Sequence, residues 1–203
     1  LSTSIIELKK SAIKQNILFV QSLMGEGVIF TSVVKGNAYG HGIEEIVPII
    51  EKCNVSSFAV FSSGEAARVV HSQQKNNTII IFGYIPDEDL DWVVENNIEC
   101  YISDSERAAK LVESSINCNK KAIVHIDLET GMNRTGLNFD ELQKTILIIK
   151  NNRENFHLRG VCTHFAGAES ISNYYRVQNQ FKLYNELVEY IKKEGIVPDI
   201  LHT

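Results

Sequence analysis

The chemistry-bearing residues of this chain fall after short β-branched runs. Lys35 follows Val33-Val34 directly and precedes Gly36-Asn37-Ala38-Tyr39-Gly40-His41-Gly42. An amine held between apolar walls at a strand end is partly dehydrated, which favours its neutral, nucleophilic form. The alternative for a lone lysine at such a position is a solvated rim charge. Three glycines in the seven positions after Lys35 permit a tight turn that would bring backbone amides near a phosphate. Tyr39, four residues on, can swing its hydroxyl over the same space. A second polar group, Asp127 to Arg134, follows Ala122 to Ile126, and Arg134 offers a planar, permanently charged fork suited to a carboxylate. A loop arginine capping a helix carbonyl is the plainer reading. His164 follows Gly160-Val161-Cys162-Thr163, where a hydrogen-bonded structural histidine is the ordinary expectation. His41, His164 and His202 all fall near strand ends but lack the short ligand spacings of a zinc site, so no metal is expected.

These groups need a scaffold, and the pattern is strand then helix, repeated. Strands are expected at 29–35, 58–61, 78–82, 98–102, 122–126, 158–162 and 199–202, with helices over 43–52, 66–70, 87–95 and 140–150. Ser62 with Glu65, and Ser103 with Glu106, resemble capping boxes. Tyr174, Val177, Phe181, Tyr184, Val188 and Ile191 mark one face of a further helix, stopped by Gly195. Strands separated by helices pair in parallel through right-handed crossovers. An open doubly wound sheet and a (β/α)8 TIM-type barrel both fit; the absence of a Gly-x-Gly-x-x-Gly after any strand favours the barrel. A typical barrel takes about 250 residues. The fold class expected is therefore α/β, a barrel incomplete at its C-terminal end, with residues 1–203 as one partial barrel domain.

Composition narrows the function classes. With 203 residues, 44% apolar and a formal charge of −5, the chain can bury a core but has no basic footprint for nucleic acid or an anionic membrane. Its apolar runs are too short and interrupted to span a bilayer, and residues 1–8 lack the pattern of a signal peptide. Cys53, Cys100, Cys118 and Cys162 are far apart with no Cys-x-x-Cys pair, so free thiols and a cytoplasmic location are expected.

Three strings together resemble the alanine racemase family, in its order and approximate spacing across nearly the whole chain. They are Val33-Val34-Lys35-Gly36-Asn37-Ala38-Tyr39-Gly40-His41-Gly42, Thr130-Gly131-Met132-Asn133-Arg134-Thr135-Gly136 and Gly160-Val161-Cys162-Thr163-His164-Phe165-Ala166. The resemblance implies racemisation of L- and D-alanine on pyridoxal 5'-phosphate held as a Schiff base by Lys35. Tyr39 and His164 would contact the cofactor, and Arg134 the substrate carboxylate. The implied product is D-alanine, a peptidoglycan precursor in walled bacteria, and the complete enzyme would be a homodimer. Two departures stand out. Asp127 occupies the place of a lysine that many members carbamylate to steady the arginine, so Asp127 is expected to orient Arg134 directly or through a bridging water or ion. Asn133 replaces a glycine, and Asn tolerates left-handed geometry. His202 resembles the start of the family's His-x-x-Asn-Ser segment, and the C-terminal β-domain with its tyrosine base has no counterpart, so this chain alone is expected to turn over little or not at all. Alternatives are a non-catalytic pyridoxal-phosphate-binding barrel, a racemase for serine or another small amino acid, and a remnant without cofactor.

Overall fold

The computed structural model describes residues 4–203, which group into two units meeting at Pro86 and Asp87. The first unit holds α1 (Lys10–Leu23), β1 (Ser32–Val33), α2 (Lys35–Tyr39), α3 (Ile43–Glu51), β2 (Ser57–Val60), α4 (Ser63–Ser72) and β3 (Thr78–Ile81). β1 pairs parallel with β2, Ser32 opposite Phe58, and β2 parallel with β3, Ser57 opposite Thr78. All four residues of β2 are buried, as expected of a parallel strand covered on both faces. Ile43, Val47 and Ile50, spaced three and four apart, turn the buried side of α3 inward.

The second unit holds α5 (Leu90–Glu95), β4 (Glu99–Ile102), α6 (Ser105–Cys118), β5 (Ala122–Leu128), α7 (Phe139–Asn151), β6 (Phe156–Thr163), α8 (Tyr174–Lys193) and β7 (Ile200–His202). β4–β5, β5–β6 and β6–β7 are all parallel pairs. The β5–β6 register slips between Val124 and His125, so that Val124 faces Leu158 while His125 faces Gly160. Arg159 is the extra residue of that bulge. Gly160 is needed there, because a Cβ would collide with the His125 ring.

Five expectations change in detail. β1 is only two residues long, and the apolar run before it lies outside any strand. β5 and β6 extend beyond their expected limits, which puts Asp127 inside a strand. Asp104, not Ser103, caps α6, its carboxylate accepting from Arg107 N at 2.7 Å. The start of the expected α8 face is exposed, at 58% for Tyr174 and 47% for Phe181. Gln180 is buried instead, its amide bonded to both backbone groups of Ala166 (2.8 and 2.9 Å). That two-point pairing removes the usual penalty for a buried amide and turns the helix toward the β6 exit. α1, unannounced by any stripe, buries only Ile17. The four cysteines are free thiols.

Candidate active site

In the first unit, Lys35 leaves β1 half-buried, with Nζ 5.1 Å from the centroid of the Phe82 ring. Phe82 in turn meets Phe61 edge-on at 6.1 Å. Gly83 runs so close to the Phe61 carbonyl that any Cβ would collide with it. Beyond Lys35 the chain winds left-handed: φ is 61° at Gly36, 55° at Asn37, 53° at Ala38 and 54° at Tyr39. Only glycine visits this region freely and asparagine readily; alanine and tyrosine there cost roughly 1–2 kcal/mol each.

The turn is fastened on several sides. Gly36 N and Asn37 N donate to Glu65 Oε1 (2.6 and 3.2 Å), and Phe61 N donates to Glu65 Oε2 at 3.0 Å. Asn37 Oδ1 accepts from Arg68 Nη2 at 2.5 Å and from Ile43 N at 3.2 Å. Glu44 holds Arg68 with two bonds (2.7 and 2.6 Å), and this pairing drops the Glu44 carboxyl to about 2. Ala38 N, Gly40 N, His41 N and Gly42 N bond to carbonyls of residues 34–38. The expectation of backbone amides presented to a phosphate is therefore corrected, since Glu65 and the turn's own carbonyls take these donors. Tyr39, 64% exposed, leaves its side chain as the turn's accessible polar group, and His41 is exposed as well.

In the second unit, Asp127 is 6% exposed near the end of β5, and burial pushes its carboxyl up to about 6. A hydrogen bond from Thr135 and the positive charge of Arg134 pull the other way, and the charge of Glu129 adds to the rise. Arg134 itself is exposed in the loop after β5, with Asn133 left-handed at φ 54° as the sequence suggested. Glu129 ties the start of this loop, accepting from Gly131 N and from Asn133 N at 2.8 Å. Thr130 and Thr163 hydroxyls meet at 2.7 Å, and Thr163 also donates to the Leu128 carbonyl, joining the exits of β5 and β6. Gln180 holds Ala166 and packs so near Gly131 that a Cβ there would touch it. His164 is exposed immediately after β6.

Sequence reasoning missed a hydrogen-bonded chain of side chains across the strands of this unit. His125, 0% exposed, bonds Glu99 Oε2 through Nε2 at 2.7 Å and meets His202 Nε2 through Nδ1 at 2.9 Å. Arg159 lies 3.7 Å from the other Glu99 oxygen. Burial, then the neighbouring His125, holds His202 down to about 4. The available signal was period two, since His125 and Asp127 alternate with Ile126 along β5.

Parallel strands alternating with helices, with polar groups gathered after the strands, define an α/β barrel of the TIM class, seven strands of which lie among the described residues. The chain belongs to the alanine racemase family: residues 8–203 match the model for the alanine racemase N-terminal domain. It is 36% identical over 190 residues to an alanine racemase of Francisella philomiragia, covering 94% of this chain and 50% of that one. It is 32% identical over 198 residues to alanine racemase 1 of Caldanaerobacter subterraneus, covering 97% and 50%. An alanine racemase structure from Clostridium difficile 630 superimposes with a TM-score of 0.84 at 28% identity, over 95% of this chain and 50% of that one. The chain thus spans about half the length of the relatives it matches.

Proposed function

We propose that this chain supplies the cofactor-holding part of an alanine racemase, an isomerase that interconverts the two hands of alanine on pyridoxal 5'-phosphate. Membership of the family supports the reading, and the observation that carries it is Lys35, a primary amine lodged against Phe82 at the head of a strained, fastened turn. Its neighbours suit that cofactor: an amine to hold the aldehyde carbon covalently, an aromatic wall beside it, and the accessible phenol of Tyr39 to meet the phosphate. When bound, the cofactor supplies an electron sink that acidifies the Cα–H bond of an attached amino acid.

The remaining work falls to side chains. Lys35 Nζ moves the proton on one face of the substrate Cα. The Arg134 guanidinium would take the substrate carboxylate and so restrict how the substrate is held. Asp127, ionised above about pH 6, feels the Arg134 charge and would help to keep the guanidinium oriented. His164 would contact the cofactor.

The test is to incubate the chain with pyridoxal phosphate, reduce with borohydride and map the modified peptide by mass spectrometry. We expect one dominant adduct at Lys35, absent from Lys35→Arg. A label spread over surface lysines in proportion to their exposure would refute the reading.

A further inference from the structure

We infer that Glu65 is the positioning residue for Lys35, fixing through backbone bonds the left-handed turn that aims the amine. The inference deepens the proposed function and rests on it where cofactor attachment is read out. Four consecutive left-handed residues do not persist unaided. Three features oppose their unwinding: bonds inside the turn, the Asn37 side chain held by Arg68 and Ile43, and the Glu65 carboxylate. Ala38 N to Val34 O at 2.8 Å and Gly40 N to Gly36 O at 3.0 Å close the turn on itself, and Val34 N ties the residue before Lys35 to Ala59 O of β2 at 2.8 Å. Glu65 ties the residues after it. One oxygen takes the first two amides after Lys35, while the other takes Phe61 N, at the exit of the neighbouring strand β2. Phe61 also packs on Phe82, the ring beneath Lys35 Nζ. A single carboxylate therefore fixes the lysine's own turn and the wall it faces in one frame.

This duty is separable from the capping of α4. Ser62 Oγ accepts from the backbone N of Glu65 at 3.3 Å, a bond that any residue at 65 retains. The side chain is instead directed across 28 and 29 residues of sequence to Asn37 and Gly36. Both amides need an acceptor, and water supplies one without fixing the turn's direction.

The graded series Glu65→Gln and Glu65→Ala separates these roles. Gln keeps one carbonyl acceptor but opposes an amide donor to Phe61 N; Ala removes every acceptor. In the reduction assay with pyridoxal phosphate, the Lys35 adduct should form at least tenfold more slowly in Glu65→Ala, with Glu65→Gln between. Adducts at other lysines and the unfolding midpoint serve as internal controls. A charge-assisted bond lost to solvent is worth at least such a factor. Independently of cofactor, amide hydrogen exchange at Gly36 and Asn37 should be slow in the wild type and at least tenfold faster in Glu65→Ala, with β2 and β3 amides unchanged. Should wild-type Lys35 react no faster than surface lysines, the cofactor reading fails and exchange alone decides the clamp. Equal Lys35 rates in a folded Glu65→Ala would overturn the inference, as would unchanged exchange there. If the variants fail to fold, unprotected Gly36 and Asn37 amides in the wild type overturn it, and slow exchange there supports it.

Discussion

Replacing Asp127 by Asn should make the protein more stable at neutral pH, although Asp127 is proposed to serve the site. Burial raises its carboxyl from an ordinary value of 3.8 to about 6. The folded state thus binds this proton more tightly than the unfolded chain, and stability falls as pH rises through that window. Each tenfold change in proton affinity is worth about 1.4 kcal/mol, so the ionised carboxylate costs about 3 kcal/mol above pH 6. The wild-type profile hides much of this. His202 is held down to about 4 from 6.5, so its contribution is present at neutral pH and lost as pH falls, in the opposite sense. Comparing wild type with Asp127→Asn cancels the His202 part. Asn keeps an oxygen to accept from Thr135 and never ionises. The variant's advantage in thermal midpoint should therefore be near zero or negative at pH 4 and grow toward pH 7.5. At roughly 2–4 °C per kcal/mol for a chain of this size, the full growth is about 6–12 °C. A difference that stays flat, or shrinks as pH rises, would show that Asp127 is hydrated or already paired, and the reasoning would fail.

Other outcomes follow from particular contacts. Gln180→Leu strips Ala166 of both backbone partners in a buried setting and should cost about 2–4 kcal/mol in urea unfolding, against no change for Gln178→Leu on the exposed side. Gly83→Ala drives a methyl into the Phe61 carbonyl and should cost roughly 1–3 kcal/mol, with altered Phe61 and Phe82 ring shifts by NMR. His125→Leu leaves Glu99 buried without its 2.7 Å partner and with Arg159 at 3.7 Å; breaking such a pair costs roughly 3–5 kcal/mol. In any folded fraction of that variant the His202 titration should rise from about 4, because the His125 charge no longer opposes it, while remaining below the ordinary value through burial.

What was legible in the sequence is what is written in contiguous residues. The alternation of β-branched runs with helical periods gave the parallel architecture, and Lys35 with its glycine-rich follower, the Arg134 loop and the His164 turn were each a single string. Features assembled from distant segments were illegible. Glu65 looked like half of a capping box, because nothing local says its side chain will cross to Gly36. His125, Glu99 and His202 sit 26 and 77 residues apart and join only when β4, β5 and β7 share a sheet. Gln180 was passed over for Phe181 because periodicity ranks residues by polarity, whereas burial follows satisfied bonds. The glycine run misled in another way: it correctly implied a tight turn but not where the freed amides would point.

The costs in this structure lie at the carboxyl ends of the strands, where barrel chemistry sits. Ala38 and Tyr39 are held left-handed after β1, Asp127 is buried near the end of β5, and His202 is kept neutral in β7. The strand interiors, with Phe58, Val60, Ile81, Val124 and Ile126 all at 0% exposure, supply the apolar burial that offsets them. Ala38→Gly probes that balance. It relieves about 1 kcal/mol of left-handed strain, yet loses a methyl that is only 4% exposed, worth about 0.8 kcal/mol, and loosens the unfolded chain. Its unfolding midpoint should therefore barely move, while the rate of the Lys35 adduct falls, because a freer turn aims the amine less well. Unchanged adduct formation at unchanged stability would show that the handedness of this turn has no bearing on Lys35.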